Sequence, residues 1–291
     1  MGTLAGGGAG ATPTAPARGR GSAAQTPAGG IVALTGARVI NGTGAAPLEQ
    51  ATILIANGRI EGVGTGAAVN IPAGATRVDM SGKTIVPGLI NAHGHLNADQ
   101  STRPIPEKLA GQLRVYADYG ITTVVVLGTG PKDLEDAVKL RDAQESGTLD
   151  RARVYVAGPS IRDLKTAEEA RTIKVALQQA NRNLKTLSDA GVLIAMGTDT
   201  GTNLGQWQGY FEHVELEYMV KAGLTPMQTL VAATGGAAKV MKLDRQLGTI
   251  QPGKRADLLV LNANPLTDIK NTRQIHSVWI GGRRLATAST N

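Results

Sequence analysis

The chain of 291 residues contains no cysteine, and aromatic residues make up only 3% of it. The absence of cysteine excludes disulfide bonds, cysteine-ligated zinc and a cysteine nucleophile. No stretch approaches the roughly 20 apolar residues that a membrane-spanning helix needs, and the N-terminus lacks the apolar central region of a signal peptide. The core must therefore be built from Ala, Val, Leu and Ile, in a chain whose hydrophobic content of 42% is that of a globular protein.

The net charge is +7 at neutral pH, and the basic residues are dispersed along the chain. Nucleic-acid-binding segments gather Lys and Arg in runs or interleave them with aromatic residues, and neither pattern is present. We therefore expect no nucleic-acid partner, and no membrane partner because the apolar runs are short. The length allows one large domain or two ordinary ones.

Hydropathy patterns divide the chain into a tail, two sheet-like ends and a middle region. Residues 1–30 are rich in Gly, Ala, Pro, Thr and Ser, which predicts a disordered low-complexity tail. Residues 31–83 and 245–288 consist of short strand patterns separated by Gly turns. The simplest arrangement pairs both ends in one composite β-domain, around a barrel-like domain at residues 84–244.

The middle region contains apolar runs that are typical of parallel strands buried on both faces. These runs are TIVPGLINAH, TTVVVLG, RVYVAGP and VLIAMGTD. Helical stretches at 108–119 and 132–146 separate the first three, and a strand–helix–strand order predicts right-handed βαβ units. Two more helices are expected at 210–222 and 225–242, the second with Thr225 as N-cap and Pro226 in the first turn. The fold class is therefore α/β.

His93 and His95 form a candidate metal site at the end of the first apolar run. Residues i and i+2 of a strand project from the same face, and the active sites of βα barrels gather at the carboxyl ends of the strands. Gly94 lets the backbone bend closely between the two imidazoles, which are good ligands for zinc and similar ions. An arbitrary His-x-His is more often a polar pair at a strand end, but the position after a buried strand favours the metal site.

Asp199 ends the run VLIAMGTD, where a barrel strand would deliver its carboxylate to the same rim. It is a candidate metal ligand and a candidate acceptor for a proton of a metal-bound water. The alternative is a turn or helix cap, a role in which Asp is common, and it stays open. With the two histidines, Asp199 completes the three protein ligands of a catalytic zinc site.

Four segments together resemble the metal-dependent amidohydrolase superfamily, in its imidazolonepropionase-like and Xaa-Pro-dipeptidase-like branch. They are KTIVPGLINAHGHLN, GVLIAMGTDTG, FEHVELEYMVKAGLTPMQTLVAATGGAAKVMKL and LGTIQPGKRADLLVLNANPLTDI. The resemblance implies a TIM-type (β/α) barrel with a small β-sandwich made from both chain ends. It also implies hydrolysis of carbon–nitrogen bonds in small amide, cyclic amide or dipeptide-like substrates, by a water that one or two divalent metals activate. His93 and His95 match the pair on barrel strand one, and Asp199 matches the proton-shuttling aspartate on strand eight.

The family pattern is incomplete in this chain. Lys174 is the candidate for the bridging carboxylated lysine of strand four, although its surroundings favour a solvated helix lysine. The histidines of strands five and six have no counterpart, because His213 lies on a helix and His276 lies in the C-terminal sheet segment. Residues 160–191 are too few for four more βα units of about 30 residues each. We therefore predict an incomplete barrel with at most one metal ion, for which zinc is favoured over iron or manganese.

His213 is a candidate substrate contact, together with Glu212 and Glu215, although an ordinary charged surface helix is the favoured interpretation. The leading hypothesis is a metal-dependent amidohydrolase impaired by the loss of barrel strands. The alternative is a non-catalytic relative that acts, if at all, through self-association of exposed barrel edges. The missing segment has three explanations that stay open: an internal deletion or gene-prediction error, a barrel rebuilt by oligomerisation, or a degenerate relative. Location also stays open between the cytoplasm and an exported protein, because AQTPAGG resembles a mature exported N-terminus.

Overall fold

A computed structural model describes the protein at residues 30–96, 109–127, 131–144, 149–156, 183–201 and 207–286. Within these ranges the chain is a mixed α/β structure with two β-sheets. The strands are β1 Val32–Val39, β2 Leu48–Ala56, β3 Arg59–Thr65, β4 Thr76–Asp79, β5 Thr84–Pro87, β6 Leu89–Gly94, β7 Ile121–Val126, β8 Arg153–Val156, β9 Leu258–Leu261, β10 Ile275–Ile280 and β11 Arg283–Arg284. The helices are α1 Leu109–Asp118, α2 Pro131–Ala143, α3 Tyr210–Lys221, α4 Pro226–Ala232 and α5 Gly235–Val240, with short 3-10 turns at Gly66–Ala68 and Ile269–Arg273. The predicted tail lies outside the described residues except for Gly30.

The larger sheet contains strands from both ends of the chain. It has eight strands in the order β11-β10-β9-β5-β1-β2-β3, and β4 pairs with β1 outside this path. The N-terminal and C-terminal strands meet where β5 runs antiparallel to β9, with Val86 opposite Leu259. Leu34, Ile53 and Trp279 are almost fully buried in the core of this sheet. The two ends of the chain, which both show short strand patterns separated by Gly turns, therefore form one sheet.

The smaller sheet is parallel, with the order β6-β7-β8. The helix α1 follows β6 and α2 follows β7, so the chain describes two successive βαβ units. All six residues of β7 are buried. A parallel strand that is covered on both faces has no polar face, and this explains the continuous apolar run that predicted it.

The run TIVPGLINAH, which the hydropathy pattern presents as one strand, is divided between the two sheets at Gly88. Thr84–Pro87 belongs to the large sheet and Leu89–Gly94 to the parallel sheet. The Gly88 amide donates to the Asp257 carbonyl at 2.8 Å. A Cβ atom at Gly88 would lie only 2.2 Å from the Thr122 hydroxyl oxygen. The crossing between the sheets thus needs a residue without a side chain.

The run VLIAMGTD lies beside β6, but the prediction of a regular strand there is wrong. Met196 accepts a hydrogen bond from the Ala92 amide at 2.9 Å, and the Asp199 amide donates to the His93 carbonyl at 2.7 Å. The Met196 amide, by contrast, does not bond to β6 but donates to the Ala232 carbonyl at 2.9 Å. The backbone therefore alternates between two partners, and no continuous ladder forms.

The helix expected at 225–242 is two short helices, α4 and α5. Its start is as predicted, because the Thr225 hydroxyl accepts from the Gln228 amide at 3.1 Å and the Gln228 side chain accepts from the Thr225 amide at 2.8 Å. The break follows α4, where the Ala233 carbonyl accepts from the Ile90 amide at 2.9 Å. A contact with β6 thus replaces continuation of the helix.

A buried ion pair connects the two sheets. Nε of Arg153 on β8 lies 3.0 Å from Oδ2 of Asp257, and the side chains are only 2% and 5% exposed. The other carboxylate oxygen of Asp257 accepts from the Gly281 amide at 2.6 Å. No helix in the described ranges has the length and apolar character to cross a membrane.

Candidate metal centre

The structure brings His93, His95 and Asp199 together at the carboxyl end of β6. Asp199 Oδ1 lies 2.7 Å from Nε2 of His95 and 3.4 Å from Nε2 of His93. One ligand atom from each residue lies within 4.8 Å of the other two. The three residues that sequence analysis singled out are therefore close enough to bind one ion.

Two glycines allow this close approach. A Cβ atom at Gly197 would lie 2.8 Å from the His93 Cβ, and one at Gly94 would lie 2.8 Å from the Val124 Cγ1. Real Cβ atoms do not approach other carbon atoms this closely without a shift of the neighbour. Gly197 therefore lets the segment that contains Asp199 pack directly on the histidine strand, and Gly94 lets that strand pack closely on β7.

Asp199 adopts a left-handed backbone conformation, with φ of 58°. Asp and Asn tolerate this region better than most residues, but it is uncommon outside glycine. The Asp199 amide is held at the same time by the His93 carbonyl at 2.7 Å. This conformation points the carboxylate at the histidines and ends the extended segment.

The cluster is open to solvent on one side. The side-chain exposure is 57% for Asp199 and 45% for His93, whereas it is 16% for His95. Two imidazoles and a carboxylate with an accessible side match the donor set of a catalytic zinc site, which has three protein ligands and one open position. The chemistry of the donors therefore fits a divalent metal.

A buried polar network lies directly beneath the cluster, and of its members only Glu212 was considered in the sequence analysis, as a candidate substrate contact beside His213. Asn91 on β6 donates to the Thr198 hydroxyl and to Oε1 of Glu212, both at 2.8 Å. Thr198 and Thr200 also donate to the same Glu212 oxygen, at 2.9 and 2.5 Å. The sequence signal for Asn91 is a polar residue inside a buried apolar run, two positions before His93.

Burial dominates the electrostatics of this network. Removal from water raises the pKa of the Glu212 carboxyl, and the hydroxyl donors Thr200 and Thr198 oppose the rise. Burial also raises the pKa of Tyr116 far above its usual value, and the nearby Glu212 charge adds to this. The Tyr116 hydroxyl lies 3.0 Å from the Thr200 hydroxyl, so α1 also reaches the network.

The remaining predicted site residues do not join the cluster. His213 on α3 is fully buried, and its ring nitrogens lie 3.0 Å from the Thr272 hydroxyl and 2.8 Å from the Tyr119 carbonyl. The expectation that His213 contacts substrate is therefore corrected, because both nitrogens face protein atoms in the core. His276 lies on β10 in the large sheet, and Lys174 lies outside the described residues.

The chain belongs to the amidohydrolase family, whose model matches residues 117–285, more than half of the chain. Ochratoxinase of Aspergillus niger is 27% identical over 205 residues, which cover 63% of this chain and 40% of that enzyme. Imidazolonepropionase of Deinococcus deserti is 36% identical over 103 residues, which cover 34% of this chain and 25% of that enzyme. The chain thus spans less than half the length of these curated relatives.

Solved structures share the fold. A putative prolidase from Bifidobacterium longum superposes with a TM-score of 0.71 at 22% identity, over 89% of this chain and 95% of that one. A Xaa-Pro dipeptidase with bound methionine superposes with a TM-score of 0.69 at 17% identity, over 87% of this chain and 99% of that one. The similarity agrees with the imidazolonepropionase-like and Xaa-Pro-dipeptidase-like branch of the family, and the neighbours imply a TIM-like fold.

Proposed function

We propose that the chain is a metal-dependent hydrolase that cleaves carbon–nitrogen bonds in small amide, cyclic amide or dipeptide-like molecules. The observation that supports this most directly is the convergence of His93, His95 and Asp199 at the end of β6, in a chain of the amidohydrolase family. The names of the relatives, ochratoxinase and imidazolonepropionase, support the class of bond. The substrate itself is left as a class.

In this proposal His93 and His95 would hold one divalent ion, with Asp199 as the third ligand. Zinc is favoured because two imidazoles and a carboxylate with an open position are a common catalytic zinc set. A bound ion lowers the pKa of a water molecule and polarises a carbonyl group. Asp199 lies at the solvent-facing side of the cluster, where its carboxylate would be placed to accept a proton.

We further propose that the barrel is incomplete. The three parallel strands β6–β8 and the extended segment at 192–199 stand for strands one to three and eight. The large sheet, from residues 31–83 and 245–288 together with Thr84–Pro87, then corresponds to the family's β-sandwich. The loss of strands four to seven removes the loops that carry other family ligands, and activity is expected to be impaired for that reason.

Metal analysis of the purified protein tests the site. We expect about one divalent ion per chain in the wild type, after exposure to zinc and removal of free metal, because the site offers three protein ligands. The variant His93→Ala should lose it, whereas His276→Ala, which removes a histidine from β10 in the large sheet, should retain it. Equal metal in the wild type and His93→Ala would overturn the proposal.

Hydrolysis assays test the chemistry. A panel of acyl amino acids, proline dipeptides, hydantoins and lactams is incubated with the zinc-loaded and manganese-loaded protein. We expect slow turnover of at least one member, which His95→Ala abolishes and His276→Ala leaves unchanged. No turnover by a protein that binds metal would contradict the catalytic part of the proposal and leave a metal-binding relative.

The second candidate is a non-catalytic protein that acts through self-association. It is favoured by Leu187, Val192 and Leu193, whose side chains are nearly half exposed. Val192 and Leu193 begin the segment at 192–199 that lies next to β6. Exposed apolar side chains that lie close together promote association. This candidate predicts a mass above that of the monomer in light scattering, reduced by Val192→Ser but not by Val240→Ser on α5. A monodisperse monomer would overturn it.

A further inference from the structure

We propose that Asn91 and Glu212 are positioning residues that set the spacing between the histidine pair and Asp199. The inference rests on the proposed function of this cluster as a metal site. It concerns the groups that hold the proposed ligands in place and not the ligands themselves. The side chains of Asn91 and Glu212 are completely buried.

Asn91 uses both ends of its amide group to connect the two ligand segments. Its carbonyl oxygen accepts from the His93 amide at 3.0 Å and from the Thr198 amide at 3.3 Å. Its amino group donates to the Thr198 hydroxyl and to Glu212, both at 2.8 Å. A single side chain thus joins the strand of the histidines to the residue that precedes Asp199.

Glu212 fixes the orientation of that amide. Its Oε1 accepts from Asn91 and from the hydroxyls of Thr198 and Thr200. Only the amino end of Asn91 can donate to a carboxylate, so the carbonyl end must face the two backbone amides. Glu212 lies on α3, and the network therefore connects this helix to the site.

Stability of the core alone does not explain why a carboxyl group is buried at Glu212. The Glu212 carboxyl group is completely buried, and Asn91, Thr198 and Thr200 all donate to its Oε1. Burial of a carboxyl group costs folding free energy, and an apolar side chain of similar volume avoids that cost. The three donors to Oε1 all belong to residues that lie within two positions of a proposed ligand, which is consistent with a positioning role.

The packing around Asn91 is tight as well. A Cβ atom at Gly94 would lie 2.9 Å from Asn91 Nδ2 and 3.1 Å from the Tyr116 hydroxyl. The residue between the two histidines is thus in contact with the positioning network. A change in the Asn91 side chain is transmitted directly to the backbone that carries both imidazoles.

Cobalt binding tests the inference through a spectroscopic readout. Co²⁺ is titrated into the metal-free full chain, and the dissociation constant and the visible absorption spectrum are measured. Asn91→Leu should weaken binding about 10- to 100-fold and change the spectrum, since loss of groups that orient metal ligands typically has this effect. Thr198→Val should act in the same direction, and serves if Asn91→Leu does not fold.

Two further variants separate positioning from general destabilisation. Gln144→Met is the matched control, because the buried Gln144 amide also accepts a backbone amide, that of Val154 at 3.0 Å, away from the cluster. It should lower stability and leave cobalt binding within twofold. Asn91→Asp should weaken binding, and Asn91→Asp combined with Glu212→Gln should recover part of it, because the introduced amide can donate to the introduced carboxylate although Thr198 and Thr200 lose a shared acceptor. Failure of both the loss and the recovery would overturn the inference.

Hydrogen exchange of the metal-free protein distinguishes this inference from the proposed metal site. The His93 amide should exchange about fivefold faster in Asn91→Leu, since it loses a hydrogen bond worth about 1 kcal/mol. The Thr198 amide should change less, because it also donates to the His93 carbonyl at 3.1 Å. They should be unchanged in Gln144→Met. If the wild type binds no cobalt, the metal site is rejected and the exchange rates still decide the inference. Unchanged exchange in Asn91→Leu would reject the positioning role.

Discussion

The large sheet and the parallel region differ in where they place buried polar groups. The core of the large sheet is mainly apolar, and its buried polar side chains are small hydroxyls such as that of Ser277, apart from Asp257 in its ion pair with Arg153. The parallel region buries Asn91, Gln112, Glu212 and His213, which form hydrogen bonds to residues distant in sequence; Asn91 and Glu212 are 121 positions apart. The difference teaches that the scaffold relies mainly on apolar packing, apart from its ion pair with the parallel sheet, whereas a site with fixed spacing depends on specific polar contacts.

The largest expected effect comes from breaking the link between the two regions. Arg153→Met should lower the free energy of unfolding by about 3–5 kcal/mol, because it leaves Asp257 as a buried charge without its ionic partner. Urea denaturation measures the loss. The double variant Arg153→Met/Asp257→Leu should recover part of it, and an equal loss in the single and double variants would contradict this account.

The second prediction compares a glycine that is tightly packed at the site with a glycine that faces open space in the scaffold. Gly94→Ala should cost about 1–3 kcal/mol, because the added methyl group would approach Val124 within 2.8 Å. It should also weaken metal binding. Gly74→Ala, in the connection before β4, meets no atom within 4 Å and should be nearly neutral. Thermal unfolding of both variants provides the comparison, and similar melting temperatures would contradict it.

A third, smaller effect concerns a contact that is local in sequence. Thr225→Ala removes the capping box of α4 and should cost about 1 kcal/mol. Helix α4 contacts the segment that carries Asp199, because the Met196 amide donates to the carbonyl of Ala232 in this helix. Metal binding should nevertheless change less than in Asn91→Leu. An equal loss of cobalt affinity in the two variants would show that the site responds to general destabilisation.

Prediction from the sequence succeeds where the determining contacts are local or follow a motif. The N-cap at Thr225 and the buried strand β7, both predicted, are encoded by neighbouring residues. The cluster of His93, His95 and Asp199 was expected from its motifs and their positions at strand ends. The metal that it is proposed to bind remains a prediction.

Prediction fails where a distant contact decides. The strand division at Gly88 depends on Thr122, and the helix break after Ala232 depends on the amide of Ile90. The network of Asn91 and Glu212 joins residues far apart in sequence. No periodicity encodes such contacts, because they arise only when the sheets and helices pack.

The smallest effect is a pH dependence that the buried network should confer. Burial raises the pKa of Glu212 above the 4.5 of an exposed glutamate, and the donated bonds from Thr200 and Thr198 reduce the rise. A carboxyl group with a higher pKa in the folded state binds its proton more tightly there. Its contribution to the free energy of unfolding therefore falls as the pH rises above this starting value.

Glu212→Gln removes that proton equilibrium, so the stability of this variant relative to the wild type should improve between about pH 4 and pH 7. Denaturant unfolding at several pH values measures the change. Glu135→Gln on α2 is the contrasting control, because Lys139 lowers the pKa of the exposed Glu135 and the sign is reversed. A difference between Glu212→Gln and the wild type that is independent of pH would show that the carboxyl group keeps the same protonation state over this range, folded and unfolded.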